Sequence, residues 1–304
     1  MPHHFDFSIT AKVSRLAFIL KTIRSLPVNA VVVFQWPLYA ILNKILVKLI
    51  LKFRKDIRII CILADINGLK DGDEKLLSSE IEFFKSLNFF VAHNNSMKAW
   101  LQQFNSKAKI SVLDFFDFLV DPPNKHYQKN GSIAFAGFLD KSRFIASLDK
   151  IDNLQFHLYG PTTMPVKTTN CVHYYGVLSN EQLLQDLHGS FGLVWDGDST
   201  EGLSGVFGEY NKYICPHKLS LYTVAGLPAI AHHSSGAASI IHKYRIGFTV
   251  SSIFEIKEKI NQLTEDEYQE MRRNCAFPAN RITSGNCLMK ALSDLDISSS
   301  HFND

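Results

Sequence analysis

The chain is short of net charge, of cysteine pairs and of long apolar runs, and each shortage removes a class of function. Lys and Arg number 32 against 29 Asp and Glu, a formal charge of +3 over 304 residues. So even a balance argues against nucleic-acid binding, which needs a concentrated basic footprint. Five cysteines (Cys61, Cys171, Cys215, Cys275, Cys287) form no CxxC pair and are odd in number. Reduced thiols packed as small hydrophobes, in a cytoplasmic setting, are therefore expected. Twelve histidines include no HExxH or comparable ligand spacing, and the His232-His233 doublet reads as loop. No metal and no cofactor are expected. No segment has the roughly 18 uninterrupted apolar residues of a membrane span. The opening "MPHHFDFSITAKVSRLAFILKTIRSL" has a helical period broken by charge and lacks a small-residue cleavage site.

What is present suits a folded α/β protein. Hydrophobic residues make up 46% of the chain and charged ones 20%, which supports a packed core. Short β-branched runs alternate with helical patterns, as in parallel sheets. In the first half, "AVVVFQ" (30–35), "IRIICILA" (57–64), "FFVAHN" (89–94) and "ISVLDFF" (110–116) read as strands. Helices are expected near 37–53, 74–86 and 95–104. "VDPPNKHYQKNG" (120–131), with two prolines and a glycine, is the clearest linker.

The alternation then restarts with strands "SIAFAG", "LQFHLYG", "VHYYG", "FGLVW", "PAIAHH" and "GFTV". Helices are expected after Gly137, at 179–188, after Pro216, near 253–262 and 265–274, and near 285–295. These patterns divide the chain into two Rossmann-like domains, 1–122 and 123–304, facing a cleft. The last helix could pack back on the first domain. That first domain opens on a helix, so its initial strand is expected to be missing and the domain shortened.

The chemistry concentrates in the second half. "GEYNKYICPHKLSLYTVAGLPAIA" places Pro216 at the first position of an apolar helix and Lys218 in its first turn. Proline suits that position because it brings no amide hydrogen needing a partner. A lysine there opposes the helix dipole unless an anion docks on it. A second cation, Lys141, follows the strand-end glycine Gly137 in "SIAFAGFLDKSRF", where a ligand can approach the backbone closely.

In "HYYGVLSNEQLL", Ser179 or Asn180 caps a helix, and the strand end up to Val177 offers an edge for a base. "DGD" occurs at 71–73 and 196–198. Either pair could hold a cation, yet the first simply suits the start of a helix. Lys44, Lys48, Lys52 and Lys55 recur at steps of four, four and three on one helical face. That face reads equally as solvated surface or as a contact with anionic lipid.

Taken in order, "VVVFQWP", "DINGLKDGDEKLLSSEIEF", "VAHNNSMKAWL", "FAGFLDKSRF", "FGLVWDGDS" and "GEYNKYICPHKLSLYTVAGLPAIA" resemble the GT-B glycosyltransferases that use nucleotide-sugar donors. More narrowly, the chain is similar to the bacterial β-1,6-galactofuranosyltransferases, a group that includes the glucosyltransferase extending glycans on serine-rich adhesins. It departs from that group at Ala64, where a histidine is usual, at Lys70 in place of arginine, and at Phe138 in place of asparagine.

The resemblance implies a GT-B-like α/β fold and transfer of galactofuranose or glucose from a UDP-sugar to a glycan or glycoprotein acceptor. It implies that Gly137, Lys141, Pro216, His217 and Lys218 bind the diphosphate side of the donor, with Val177 against uracil. The acceptor would enter near Gln35, Asp65 and Asn94, with Asp65 the candidate general base. A second expectation is a degenerate homologue that binds nucleotide or an active partner without catalysing. Peripheral contact with the inner membrane through the lysine face, and homo-oligomers, are compatible with either.

Overall fold

The computed structural model describes residues 9–123, 125 and 127–295. The first eight residues of the N-terminal helical pattern and positions 124 and 126 of the linker lie outside the described residues. The first unit runs α1 (Ile9–Ser25), β1 (Val31–Trp36), α2 (Ile41–Phe53), β2 (Arg58–Leu63), α3 (Asn67–Asp71), α4 (Glu74–Phe84), β3 (Phe89–Ala92), α5 (Asn95–Gln102) and β4 (Lys109–Val112). Its four strands lie in sequence order, β1-β2-β3-β4, all parallel. The "DGD" at 71–73 is a helix start: Asp73 caps α4 by accepting from the amides of Lys75 and Leu76 at 3.0 and 2.9 Å.

The second unit begins with β5 (Ser132–Ala136), β6 (Gln155–Tyr159), β7 (Val172–Tyr174), α6 (Asn180–Asp186) and β8 (Phe191–Val194). It continues with α7 (Gly205–Asn211), α8 (His217–Ala225), β9 (Ala229–His232), α9 (Ala238–Tyr244) and β10 (Gly247–Val250). Four more helices follow: α10 (Ile256–Gln262), α11 (Glu265–Asn274), α12 (Ala276–Thr283) and α13 (Asn286–Ser293). Its parallel sheet has the order β10-β9-β8-β5-β6-β7, so the winding reverses between β5 and β8. Ligands of open α/β sheets bind beyond the carboxyl ends of the strands at such a reversal.

The expected strands are all present. The helix expected after Gly137 is instead two 3-10 segments, Leu139–Lys141 and Arg143–Lys150. Asp140 turns away to accept from Thr162 and Thr163, and the Leu139 amide donates to the Pro161 carbonyl, so local side-chain and loop bonds compete with a regular helix. Sequence patterning also passed over α3, α7, α9 and α12, all eight residues or shorter. Such short segments are held by packing, because an isolated helix of that length gains too few hydrogen bonds to offset nucleation.

α8 is the central pillar. Its residues from Leu219 to Ala225 are all buried, including Ser220 and Thr223, whose hydroxyl donates to the Leu219 carbonyl at 2.7 Å. It ends at Gly226, whose φ of 71° is the left-handed cap that glycine adopts without strain. Tyr222 on α8 accepts from the Ala136 amide at 2.8 Å, and its ring occupies the space where Gly192 has no Cβ. One hydrophobic cluster joins Ile60, Val91 and Leu113 of the first sheet to Leu219, Val224 and Leu227 around α8 and to Cys287, Ala291 and Leu295 near the end of the chain.

The last helix therefore packs on the first unit. Asp117 anchors it, accepting from the amides of Cys287 and Leu288 at 3.0 and 2.9 Å. Asp117→Ala removes the cap of α13 and is expected to lower stability by about 1–2 kcal/mol, read as a shift in the urea midpoint with an unchanged slope.

Candidate functional site

Between the two sheets lies a cavity of about 720 Å³. Gln35, Asp65 and His93 line it from the first unit, and Gly137, Lys141, Pro216, His217 and Lys218 line it from the second. Seven of the residues singled out by sequence thus share one hollow. Its floor sits at the β5–β8 reversal, where Gly137 follows β5 and Asp196 lies just beyond β8.

Two of the expected residues lie elsewhere. Asn94, placed by sequence on the acceptor side, is 1% exposed and caps α5, with its Oδ1 accepting from the Met97 amide at 2.9 Å. Its place after β3 makes it a helix cap, so its side chain serves the fold instead of the cavity. Val177 is 67% exposed, in the segment between β7 and α6, and does not line the cavity. The nearby wall is formed by Asn180 and Leu183 of α6, a helix closed by a Ser179–Gln182 capping box.

Pro216 differs in detail. Its ψ of 152° is extended, so it is the N-cap and His217 is the first helical residue. This leaves Lys218 second in α8, and its partner is already in the chain. Nζ donates to Asp196 Oδ1 at 2.9 Å and to the Trp195 carbonyl at 3.0 Å, and sits 4.3 Å from the Phe135 ring centroid. The side chains of Lys218 and Asp196 are only 8% and 13% exposed. Burial pushes the Lys218 ammonium below the usual lysine range, Asp196 opposes that shift, and Lys141 adds to it.

Asp196, the first carboxylate of the second "DGD", is thus engaged within the chain, and its Oδ1 also accepts from Ser142 Oγ at 2.9 Å. Gly137 has a φ of 157°, which residues with a side chain rarely adopt, and a Cβ placed on it would stand 3.7 Å from Lys218 Nζ. Lys141, half-buried in the 3-10 turn, has no carboxylate partner among the described residues.

The opposite wall carries Asp65. Its Oδ2 pairs with Lys70 Nζ at 2.8 Å and its Oδ1 accepts from Tyr210 Oη at 3.0 Å. Tyr210 comes from α7 in the second unit and also accepts from the Ile66 amide at 2.9 Å, so this contact bolts the units together. Each carboxylate oxygen can accept two bonds, which leaves Asp65 able to take a further one.

Sequence reading missed His93, Phe116 and Tyr210. His217 stacks on Phe116 with ring centroids 4.2 Å apart, and His93 meets the same ring edge-on at 4.7 Å. The Cys215 amide donates to His93 Nδ1 at 3.2 Å, which assigns the ring proton to Nε2, an atom with no hydrogen-bond partner among the described residues. The one local signal for His93 was a polar residue directly after a buried strand.

Burial holds His93 neutral, pushing it down to about 4, with Asp65 pulling the other way. His157, on β6 next to the edge strand of the second sheet, is likewise pushed to about 4 by burial and by His173 and His188. Both histidines take up protons in the unfolded chain, at an ordinary value of 6.5, before they do so in the fold. Their contribution to stability is complete above about pH 6.5 and is lost as pH falls toward about 4. His93→Gln is expected to flatten the decline of urea midpoint with pH over that window; an unchanged slope contradicts the assignment.

Comparison with known proteins agrees with this architecture. Residues 3–115 match the family described as "Glucosyltransferase 3-like, N-terminal domain", and residues 133–295 match "Glucosyltransferase 3-like, C-terminal domain". The β-1,6-galactofuranosyltransferase WbbI of Escherichia coli K12 is 30% identical over 250 residues, 81% of this chain and 72% of that protein. Glucosyltransferase 3 of Streptococcus parasanguinis is 26% identical over 222 residues, 72% of this chain and 64% of that protein.

Among solved structures, Anabaena Alr3699/HepE in complex with UDP superposes with a TM-score of 0.62 at 13% identity, covering 92% of this chain and 81% of that one. Sucrose-phosphate synthase from Thermosynechococcus elongatus gives 0.63 at 12%, covering 99% and 82%. The fold is α/β and GT-B-like, and the chain belongs to the glucosyltransferase 3-like family of glycosyltransferases.

Proposed function

We propose that the protein transfers a hexosyl unit, galactofuranose or glucose, from a UDP-sugar to a glycan acceptor. The observation that carries this reading is the pair of cations, Lys141 and Lys218, beside Gly137 at the strand-order reversal. It is supported by relatives that are a galactofuranosyltransferase and a glucosyltransferase, and by structural neighbours solved with UDP and with UDP-glucose.

Transfer breaks the bond between the anomeric carbon and the diphosphate oxygen, which keeps the electron pair. A bond to an acceptor hydroxyl oxygen forms, and that hydroxyl loses its proton. Negative charge grows on the leaving diphosphate, so fixed cations on the donor wall stabilise the transition state more than the ground state. Lys141 and Lys218 supply that charge. Gln35 and Asp65 stand on the acceptor wall, with Asp65 the carboxylate available for the hydroxyl proton. The reading needs no metal, because the two ammonium groups take the role a divalent cation would otherwise fill.

We also propose that the first unit rests on an anionic membrane surface. From residue 7 to residue 55 the sequence contains no Asp or Glu. On α2, Lys48 and Lys52 are exposed beside Ile41, Leu42 and Ile45, and Phe18 is exposed on α1. The four-lysine face is narrower than the sequence suggested. Lys44 is half-buried with its ammonium 4.9 Å from the Trp36 ring, and Lys55 lies beyond the end of α2. Basic groups next to exposed apolar ones suit a headgroup layer.

Lys141→Ala should weaken UDP binding in calorimetry by about 1.5–3 kcal/mol and lower UDP release from UDP-glucose or UDP-galactofuranose in the presence of acceptor, with EDTA without effect. UDP binding without turnover on any acceptor tried would support the degenerate reading instead. For the membrane contact, cosedimentation with vesicles containing anionic phospholipid should fall about fivefold or more for each of Lys48→Glu and Lys52→Glu. Equal binding to neutral vesicles would refute it.

A further inference from the structure

Lys218 raises a problem that diphosphate binding alone does not solve. Its ammonium lies in a nearly dry pocket, and the neighbouring Lys141 repels it. A buried cation left alone is costly enough that the group loses its proton or the structure rearranges. What prevents this is one carboxylate. Asp196 Oδ1 accepts from Lys218 Nζ of α8 at 2.9 Å and from Ser142 Oγ, next to Lys141, at 2.9 Å. The following residue continues the clamp: the Gly197 amide donates to the Lys141 carbonyl at 3.2 Å, and the Gly197 carbonyl accepts from the Phe144 amide at 3.3 Å. Asp196 thus touches both structures that carry the cations, the start of α8 and the 3-10 turn after β5.

We propose that Asp196 is a positioning residue for the donor: its carboxylate keeps Lys218 charged and fixes it relative to the Lys141 turn, so that two ammonium groups meet one diphosphate. This rests on the UDP-sugar reading above. An ammonium has three donors, of which Asp196 and the Trp195 carbonyl take two. The third is left for a phosphate oxygen. The cation meets its ligand already oriented, which lowers the ordering cost of binding.

The idea makes a prediction opposite in sign to simple electrostatics. Asp196→Asn removes a negative charge from beside an anion site, which by charge alone tightens UDP binding. Positioning requires the reverse. Among the described residues, the charged groups facing Lys218 are Asp196 at the end of β8 and Lys141 in the turn; its neighbours on α8 add none. Without Asp196, burial and Lys141 both act to discharge Lys218. UDP affinity of Asp196→Asn should therefore decline as pH rises, where the parent protein stays level.

Calorimetry with UDP on the full chain tests this with four proteins: parent, Asp196→Asn, Lys218→Met and the double variant. Asp196→Asn is expected to bind about tenfold more weakly, and to lose more affinity than the parent as pH rises from neutral. In the Lys218→Met background the same change should no longer weaken binding, and that double variant leaves no orphan charge to disturb folding. Unchanged or tighter binding by Asp196→Asn, a flat pH profile, or additive effects would overturn the positioning role and leave the donor reading intact. Failure of the parent to bind UDP would overturn both. If Asp196→Asn does not fold, Ser142→Ala decides: it should weaken UDP binding about threefold, and unaltered affinity refutes the clamp.

Discussion

A lysine ammonium and an aspartate carboxylate enter a nearly dry pocket only if each satisfies the other, and the donor side of this molecule is arranged around one such pair. Lys218 reaches down from the start of α8, Asp196 comes up from the end of β8, and Ser142 closes the third side from the turn after β5. Three segments far apart in sequence are held at one point. A buried ion pair is a weak source of net stability, because desolvation offsets most of the attraction. Its value is geometric, since it fixes where charge sits at the reversal of the sheet.

The rest of the fold serves to bring a second wall opposite that point. α8 is buried because its own sheet lies on one side and α12 on another, and the final helices cross back to cover the first sheet. Tyr210, carried by a short helix of the second unit, holds Asp65 of the first. Phe116 of the first unit lies under His217 of the second. Polar bonds and ring contacts thus span the cleft on both sides of the cavity, and the family's two domain patterns act as one site.

Much of this was legible. Period-two and period-3.6 patterns marked the strands and the longer helices, because burial of one face imposes those repeats. Gly137, Lys141 and Lys218 stood out since a glycine at a strand end and a cation at a helix start are unfavourable choices without a ligand. Other features were not legible. Asn94 looked like a cleft residue but spends its side chain capping α5, a use that sequence does not distinguish from binding. Val177 looked like a strand end, and the strand stops at Tyr174. The short helices α3, α7, α9 and α12 have no sustained period of their own.

Local sequence, through side-chain periodicity and the stereochemistry of glycine and caps, determined two parallel α/β units and the two candidate cations. Only the tertiary structure decided what those cations face. The carboxylate partner of Lys218 lies 22 residues away, and the tyrosine that holds Asp65 from the second unit lies 145 residues away. Electrostatic pairing in a buried site depends on distance and dielectric in three dimensions, and neither quantity is written along the chain.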